Sequence, residues 1–414
     1  MQEQISAGNL MKTIQDPVHG YVEVDKKIIP VLDSPEVQRL RYVKQLGFAN
    51  LVYPGANHTR FEHSLGAMHL AGLMAKSLSL EPQEVLLAEV SALLHDIGHG
   101  PFSHASEQLM EEYLHHSHQE IAEYVNNGYL NEALCALDIS PDDVCAMVEG
   151  KEDNNLITGI IHGDLDVDRM DYLLRDAHYT GAPYGTVDVH RLIRNTTLGE
   201  KGLVLRENGI NAAESLLIAR TIMRPSVYFH HVSRIAETMV TYAALEHIEA
   251  TEGKDIGELM RMNDAEFSIA LSNSPSEEAR KLIGMIYRRK LYKRAVYIGM
   301  DQVKYSTAQK FVELKDKKSI AEKVCKEAGL DRTEVLVDIP PFPSPMKIDV
   351  LVRNHNELVS LEELSPLIRT LNMTRKSEWR MGIYTSSENR KTVEQCAYDL
   401  LNIERPTKQD KLVF

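Results

Sequence analysis

Leu93-Leu94-His95-Asp96-Ile97-Gly98-His99-Gly100-Pro101-Phe102-Ser103-His104 is the stretch whose reading decides the fold. An apolar helical run, Val85 to Leu94, leads straight into an adjacent imidazole and carboxylate. Gly98, Gly100 and Pro101 then stop the helix. Two hard polar groups at the mouth of a buried helix need a partner, because an unpaired buried charge is very costly. A divalent metal would suit both, taking nitrogen from a neutral imidazole and oxygen from the carboxylate. A hydrogen-bonded His beside a capping Asp would satisfy them without one. For an isolated His-Asp pair the second is the more ordinary outcome, so the rest of the chain must decide.

At 414 residues the chain exceeds one usual core, which predicts a large domain and a smaller appended one. Its apolar (43%) and charged (26%) fractions are those of a soluble globular protein. No run of eighteen apolar residues occurs, and Met1 to Met11 lacks the basic-then-apolar pattern of a signal peptide, so a cytoplasmic location without membrane contact is expected. Cys135, Cys145, Cys325 and Cys396 form no CxxC pair and read as reduced thiols. A net charge of −14 argues against broad nucleic-acid binding. An anionic substrate would have to be drawn in locally, by a metal and a few arginines.

Working outward, residues 13–25 alternate around Pro17 and Gly20 and predict a short strand or hairpin. Asp33-Ser34-Pro35-Glu36 reads as a helix start, with the helix running to Gly47. Thr59-Arg60-Phe61-Glu62-His63-Ser64-Leu65-Gly66 leads another helix, with His63 at its N-terminal end. Helical patterns follow at about 82–97, 103–114, 117–127, 141–149 and 154–162. In the stretch from Asp164 to Asp176, the residues Asp168, Tyr172 and Asp176 recur every four positions and line one stripe of a helix. Carboxylates so close repel unless something cationic faces them, and Val167, Met170, Leu173 and Leu174 argue that the helix is buried. A short strand is predicted at 203–206, long helices at 210–230 and 231–252, and more helix to about 295. Beyond that, β-like runs (295–298, 334–338, 347–352, 381–384) alternate with helices (318–328, 361–371, 387–402), around the Pro-rich segment 339–345. The expected fold is mainly α, with a helical domain over 1–295 and an α+β domain over 296–414.

His63, His95-Asp96 and Asp168 now each offer metal donors from a helix end or stripe. Two His and two carboxylates would make a four-ligand site with room for water. Their separation along the chain requires a helical bundle to bring them together.

These segments resemble a family. RFEHSLG (60–66), HDIGHGPFSH (95–104) and DVDRMDY (166–172) are similar to the H…HD…D signature of HD-domain phosphohydrolases. They most resemble its deoxynucleoside-triphosphate triphosphohydrolase branch, which cleaves a dNTP at the α-phosphorus into deoxynucleoside and triphosphate. The likeness runs from about Lys12 to Gly128 and from about 160 to 250. It implies that His63, His95, Asp96 and Asp168 hold one divalent ion, for which Mn, Fe, Co, Ni, Mg or Zn would all serve. It implies proton transfer by His118, with Glu107 orienting it where some relatives carry Asp. Arg60, His99, His104 and Arg169 would surround the triphosphate, with His99 also close to the chemistry. Gln45, Tyr172 and Asp176 would read the sugar, and Arg220 and Tyr228 would finish the pocket.

The same resemblance implies an activator site for GTP or dGTP. Asp33, Gln38 and Arg41 would read guanine, a carboxylate accepting from N1–H and N2–H while Arg reaches O6 and N7. Lys12 would hold phosphate. Arg206, Arg289 and Lys293 would add phosphate contacts from another subunit of a homo-oligomer, a dimer or tetramer. Asn208 replaces a Lys that relatives place near Arg206. Two other readings stay open: an HD nucleotidase or phosphodiesterase acting on monophosphates, cyclic nucleotides or ppGpp, and a non-catalytic nucleotide sensor.

Overall fold

The chain enters its first unit, in the computed structural model, through an antiparallel hairpin of β1 (Met11–Asp16) and β2 (Gly20–Asp25). Gly20 closes the turn at φ +76°, a conformation that costs glycine little. The structure describes residues 11–150, 157–299, 302, 314–340, 348, 350–355, 357–377, 379–401 and 403. They fall into two compact units, Met1–Ser103 with His116–Tyr228 and Lys347–Arg369, and His104–His115 with Phe229–Met346 and Thr370–Phe414. These units are not contiguous in sequence, whereas the expected division at 295 is.

In the first unit, the helices Arg60–Ser77 and Pro82–Leu94 pack together under the hairpin. Val22 and Val24 of β2 meet Leu65 and Met68, and Val90, Leu93, Leu94 and Ile97 continue the core to Leu130, Leu134, Val144 and Val148. Burying this apolar set is the main term holding the unit together, at about 25 cal/mol per Å². Helices Val167–Thr180, Val189–Asn195 and Ile210–Met223 complete the bundle. A four-stranded sheet is added in the order β3 (Thr196–Gly199), β4 (Gly202–Arg206), β7 (Leu351–Asn354) and β8 (Glu357–Ser360). Here β7 runs parallel to β4, with Val204 opposite Leu351.

The second unit is built on His231–Ala250, a helix buried along most of its length. The helices Ile256–Arg261, Asp264–Ser272 and Glu277–Tyr287 follow it. Its sheet has the order β5 (Lys293–Gly299), β9 (Arg380–Thr385), β6 (Val335–Asp338), all antiparallel, with helices Leu314–Ala328 and Arg390–Leu401 beside it. The fold is mainly helical with small sheets toward the C-terminus, as expected.

Several element boundaries differ from the pattern reading. The helix expected to reach Gly47 stops at Arg39, passes through a 3₁₀ turn, Leu40–Tyr42, and becomes extended at Val43. The reason is tertiary: Arg60 N donates to Val43 O and Gln45 N to His58 O, so these backbone groups pair across the chain instead of within a helix. The helix expected over 117–127 is only Ala122–Val125, and that over 154–162 is a 3₁₀ turn at Thr158–Ile160, with 151–156 outside the described residues. The helix expected over 210–230 ends at Met223 and continues as a π-helical turn, Arg224–Tyr228, around Pro225. The helix Gly128–Cys135 and strands β3 and β8 add to the reading. Of the Pro-rich segment, 341–345 lies outside the described residues.

Candidate metal centre and active site

Three helix ends deliver the donors. Helix Arg60–Ser77 is started by Glu62, whose Oε2 accepts from Thr59 N (2.6 Å), and His63 follows within the first turn. His95 caps the helix Pro82–Leu94. Asp168 sits in the first turn of Val167–Thr180, whose N-cap Asp166 accepts from Arg169 N (2.8 Å) and Gly163 N (3.0 Å).

Each imidazole has its tautomer set from behind. His95 Nδ1 lies 2.7 Å from Ala92 O, a group that can only accept, so Nδ1 donates. His63 Nδ1 donates to Asp171 Oδ2 at 2.7 Å. Both Nε2 atoms therefore turn inward, 3.2 Å apart. Asp168 Oδ1 lies 3.0 Å from His63 Nε2 and 3.7 Å from His95 Nε2. Asp96 Oδ1 is 3.3 Å from His95 Nε2, and its Oδ2 is 3.9 Å from His63 Nε2. Two imidazole lone pairs aimed at each other between two carboxylates need a cation. The residues fit a divalent metal. The same demand shows in protonation: burial opposes charge on His63, yet Asp168 and Asp171 outweigh it and raise the ring to about 10. His95 is raised for the same kind of reason, by Asp96 and Asp168 against burial.

Asp96 also holds Arg60. Burial would raise its carboxyl, but Arg60, His95 and His99 keep it well below the usual range. Arg60 Nη1 donates to Asp96 Oδ2 at 2.6 Å and its Nε to Ser103 Oγ at 2.7 Å. Ser103 in turn donates to Lys44 O (3.0 Å). Phe102 and Ser103 both have positive φ (+54° and +51°), a strained pair for residues bearing a Cβ. The Arg60 and Lys44 bonds, and the stacking of Phe102 on Phe48 at 4.5 Å, hold the strained turn in place.

His99 stacks on His118 with centroids 3.8 Å apart, and its Nε2 lies 3.3 Å from Asp96 Oδ1. Burial, then Arg60 and His118, push His99 well below the usual histidine range. His118, expected at a helix start, lies in a turn ahead of Ala122–Val125. Glu107 is half-buried on the helix His104–Tyr113, in the second unit, and the side chain of His104 lies outside the described residues.

The expected sugar residues form a second group in the first unit. Asp176 is buried and accepts from Tyr228 OH and from His58 Nε2, each at 2.8 Å. Tyr172 packs edge-on to Tyr228 (6.1 Å) and to the His63 ring (6.4 Å), which ties this group to the metal ligands. Burial raises Tyr172 to about 12, so it stays a neutral donor. Gln45 is buried, and its Oε1 has no partner among the described residues. Arg220, half-buried on Ile210–Met223, acts electrostatically on Tyr172. Arg169 is turned back to Gly163 O and Asp166.

Of the residues expected to bind an activator, Asp33 and Arg41 are exposed and Gln38 is half-buried. Gln38 donates to Leu32 O (2.8 Å) and accepts from Arg41 Nε (2.8 Å), and the Arg41 guanidinium lies 3.5 Å over the Phe61 ring. Lys12 and Arg206 are exposed on β1 and β4 of the same unit. Arg289 and Lys293 are exposed in the second unit.

The HD domain model matches residues 60–176, and the HD associated region model matches residues 187–412. The chain belongs to the HD-domain phosphohydrolase family. A protein of Methanocaldococcus jannaschii described as uncharacterized is 35% identical over 391 residues, 93% of this chain and 81% of that one. The deoxynucleoside triphosphate triphosphohydrolase SAMHD1 of Gallus gallus is 30% identical over 344 residues, 69% of this chain. This HD protein spans 56% of that relative's length. A crystal structure of a hypothetical protein from Aquifex aeolicus shares 32% identity at a TM-score of 0.74, covering 93% of this chain and 99% of that one.

HD domains bind divalent metals, and in this HD protein the His63, His95 and Asp168 donor atoms lie within 4.8 Å of one another. The pattern reading missed His58, which has no motif around it. It also missed His19 and Arg175, which bond Asp171, and Asp16, which bonds Arg175. Among the described residues no helix is long and apolar enough to cross a membrane.

Proposed function

We propose that the chain hydrolyses deoxynucleoside triphosphates to deoxynucleoside and inorganic triphosphate, using one divalent ion held by His63, His95, Asp96 and Asp168. One observation carries the reading: two tautomer-locked imidazoles face each other at 3.2 Å, with Asp168 beside them. When bound, the ion supplies Lewis-acid polarisation of a phosphoryl oxygen and lowers the pKa of water.

The chain's own groups do the rest. Asp96 couples the metal site to Arg60, whose guanidinium Ser103 also orients. Arg169 would lie along the triphosphate. The His99 ring stacks on His118 and fixes its plane, and His118 would protonate the leaving 5′-oxygen. Asp176, already accepting from His58 and Tyr228, would accept the sugar 3′-hydroxyl, with Tyr172 and Gln45, whose Oε1 has no partner among the described residues, beside it. Arg220 closes the pocket. A 2′-hydroxyl would have to displace one of these packed groups, which favours the deoxy sugar.

We place activation by GTP or dGTP at Asp33, Gln38 and Arg41 with Lys12, and assembly into a homo-oligomer through Arg206, Arg289 and Lys293. The relative named as a dNTP triphosphohydrolase supports the substrate class. The test is to incubate the chain with each dNTP and Mn²⁺ or Mg²⁺, with and without GTP, and separate the products. Intact triphosphate is expected, lost in Asp96→Ala together with the metal. Pyrophosphate or orthophosphate as the inorganic product, or no turnover of any dNTP, would reject the substrate assignment. A turnover and an oligomer size both insensitive to GTP and dGTP would reject the activator site.

A further inference from the structure

Asp171 lies behind the metal donors and has every acceptor position filled. Its Oδ1 accepts from His19 Nε2 (2.6 Å) and Arg175 Nη2 (2.9 Å), and its Oδ2 from His63 Nδ1 (2.7 Å) and Arg175 Nε (2.9 Å). A carboxylate offers about four lone-pair directions, and all four are used. Burial opposes its charge, but Arg175, His19 and His63 keep it ionised. Arg175 is fully buried and spends its remaining nitrogen, Nη1, on Asp16 Oδ2 at 2.8 Å. Asp16 Oδ1 then accepts the Val18 and His19 amides at 2.9 and 2.8 Å, which shapes the hairpin turn that carries His19.

The charges do not cancel within this group. Two carboxylates, Asp16 and Asp171, share one guanidinium, so a net negative charge is left facing the imidazoles of His63 and His19. An anion accepting from Nδ1 makes Nε2 of the same ring a better donor to a cation and fixes the ring plane. His19 comes from the β1–β2 turn, 152 residues from Asp171 in sequence, and its ring also lies 5.5 Å from that of His69 on the His63 helix. The hairpin turn is thus pinned to the back of the metal ligand.

We propose that Asp171 is a positioning residue for His63, and that His19 acts on the metal site from the hairpin through Asp171. The inference rests on His63 as a metal ligand and not on the choice of a dNTP as substrate.

The test measures Mn²⁺ binding to the full chain by calorimetry, with the thermal melt of each metal-free variant as a separate readout. Asp171→Asn removes the charge and turns an amide NH₂ toward existing donors. It should weaken Mn²⁺ binding roughly 10–100-fold. His19→Phe should weaken it by about threefold or more, while His19→Gln, which retains an N–H donor, should restore binding to within about twofold. Because His19 acts through Asp171, the double variant His19→Phe/Asp171→Asn should bind no more weakly than Asp171→Asn alone. Wild-type Mn²⁺ affinity in Asp171→Asn, equal affinities in the two His19 variants, or full additivity in the double variant would each overturn the proposal. If Asp171→Asn does not fold, the His19→Phe and His19→Gln pair decides. A wild-type chain that binds Mn²⁺ and hydrolyses no dNTP would reject the substrate reading and leave this one standing.

Discussion

The carbonyl oxygen of His118 lies against the α-carbon of Gly98, where an added Cβ would sit 2.1 Å from it. The glycine that stops the His95 helix is thus also the surface on which the His118 turn rests. This contact brings the His118 ring to stack on His99. Gly98→Ala must push the His118 backbone away, since a backbone oxygen cannot rotate aside as a flexible side chain can. The expected result is a fall in kcat of about 100-fold or more, as for a misplaced proton donor. Metal content should stay near wild type, because no donor bond passes through this contact. Steady-state kinetics with metal analysis check it; unchanged kcat would reject a role for the stack.

Much of this was legible in the sequence, and the part that was not has a physical reason. His63, His95-Asp96 and Asp168 stand in short stretches whose helix signals and chemistry agree, so their convergence could be inferred from pattern. Asp171 could be seen only as one more acid on a crowded helix. Arg175 is its i+4 neighbour on the same helix, but His19 and His63 come from 152 and 108 residues away, and no local rule pairs groups so far apart. His58 stands in a loop whose neighbours carry no periodicity. The early stop of the helix after Pro35 depends on bonds from Gln45 and Arg60 to and from other segments. Likewise β7 finds β4 through a parallel pairing more than 140 residues apart, which the sequence pattern of either strand does not encode.

Protonation of His63 makes metal uptake depend on pH. Burial works against its charge, but Asp168 and Asp171 raise the ring to about 10, so the metal-free chain carries that proton at pH 7. A metal at Nε2 must displace it. Calorimetry in buffers of different ionisation enthalpy should therefore register proton release at pH 7, about one proton per ion from His63 and a further contribution from His95, which is also raised. Apparent affinity should rise with pH below 10, by about tenfold per unit from His63 and more where His95 also releases a proton. The stability sign is the reverse. A raised histidine stabilises the metal-free fold fully below the unfolded value near 6.5, and that contribution is lost as pH climbs through about 10. The metal-free melting temperature should accordingly fall between pH 7 and 10, and a proton-neutral uptake of metal would contradict the assignment.

His58 offers a test of the sugar reading that leaves the metal donors untouched. It is buried, stacks on Tyr179 at 4.5 Å and donates to Asp176. Among the described residues, His58→Leu leaves Tyr228 as the one side chain donating to the Asp176 carboxylate. Losing a hydrogen bond to a buried carboxylate costs about 1.5–3 kcal/mol, so KM for a dNTP should rise by about tenfold or more. Discrimination against the ribonucleotide should fall at the same time, and His58→Gln should recover part of both. Kinetics on paired deoxy- and ribonucleotides measure this. A unchanged ratio in His58→Leu would remove Asp176 from the sugar site.

Gly66 and Gly257 both lie in helices, where replacing glycine by alanine ordinarily stabilises by up to about 1 kcal/mol. Their surroundings reverse the expectation at one of them. A Cβ at Gly257 meets nothing within 4 Å, so Gly257→Ala should be neutral or slightly stabilising. A Cβ at Gly66 would lie 1.9 Å from Asp171 Oδ1 and 2.4 Å from Arg175 Nη2. Neither group can yield without breaking a buried, fully bonded ionic cluster, and separating such partners costs roughly 3–5 kcal/mol. Gly66→Ala should therefore lower the urea midpoint sharply while Gly257→Ala does not. Because the displaced carboxylate is the one that holds His63, any folded Gly66→Ala protein should also bind Mn²⁺ less tightly. A Gly66→Ala variant with wild-type stability and wild-type metal affinity would mean that the cluster is looser than its bond lengths imply.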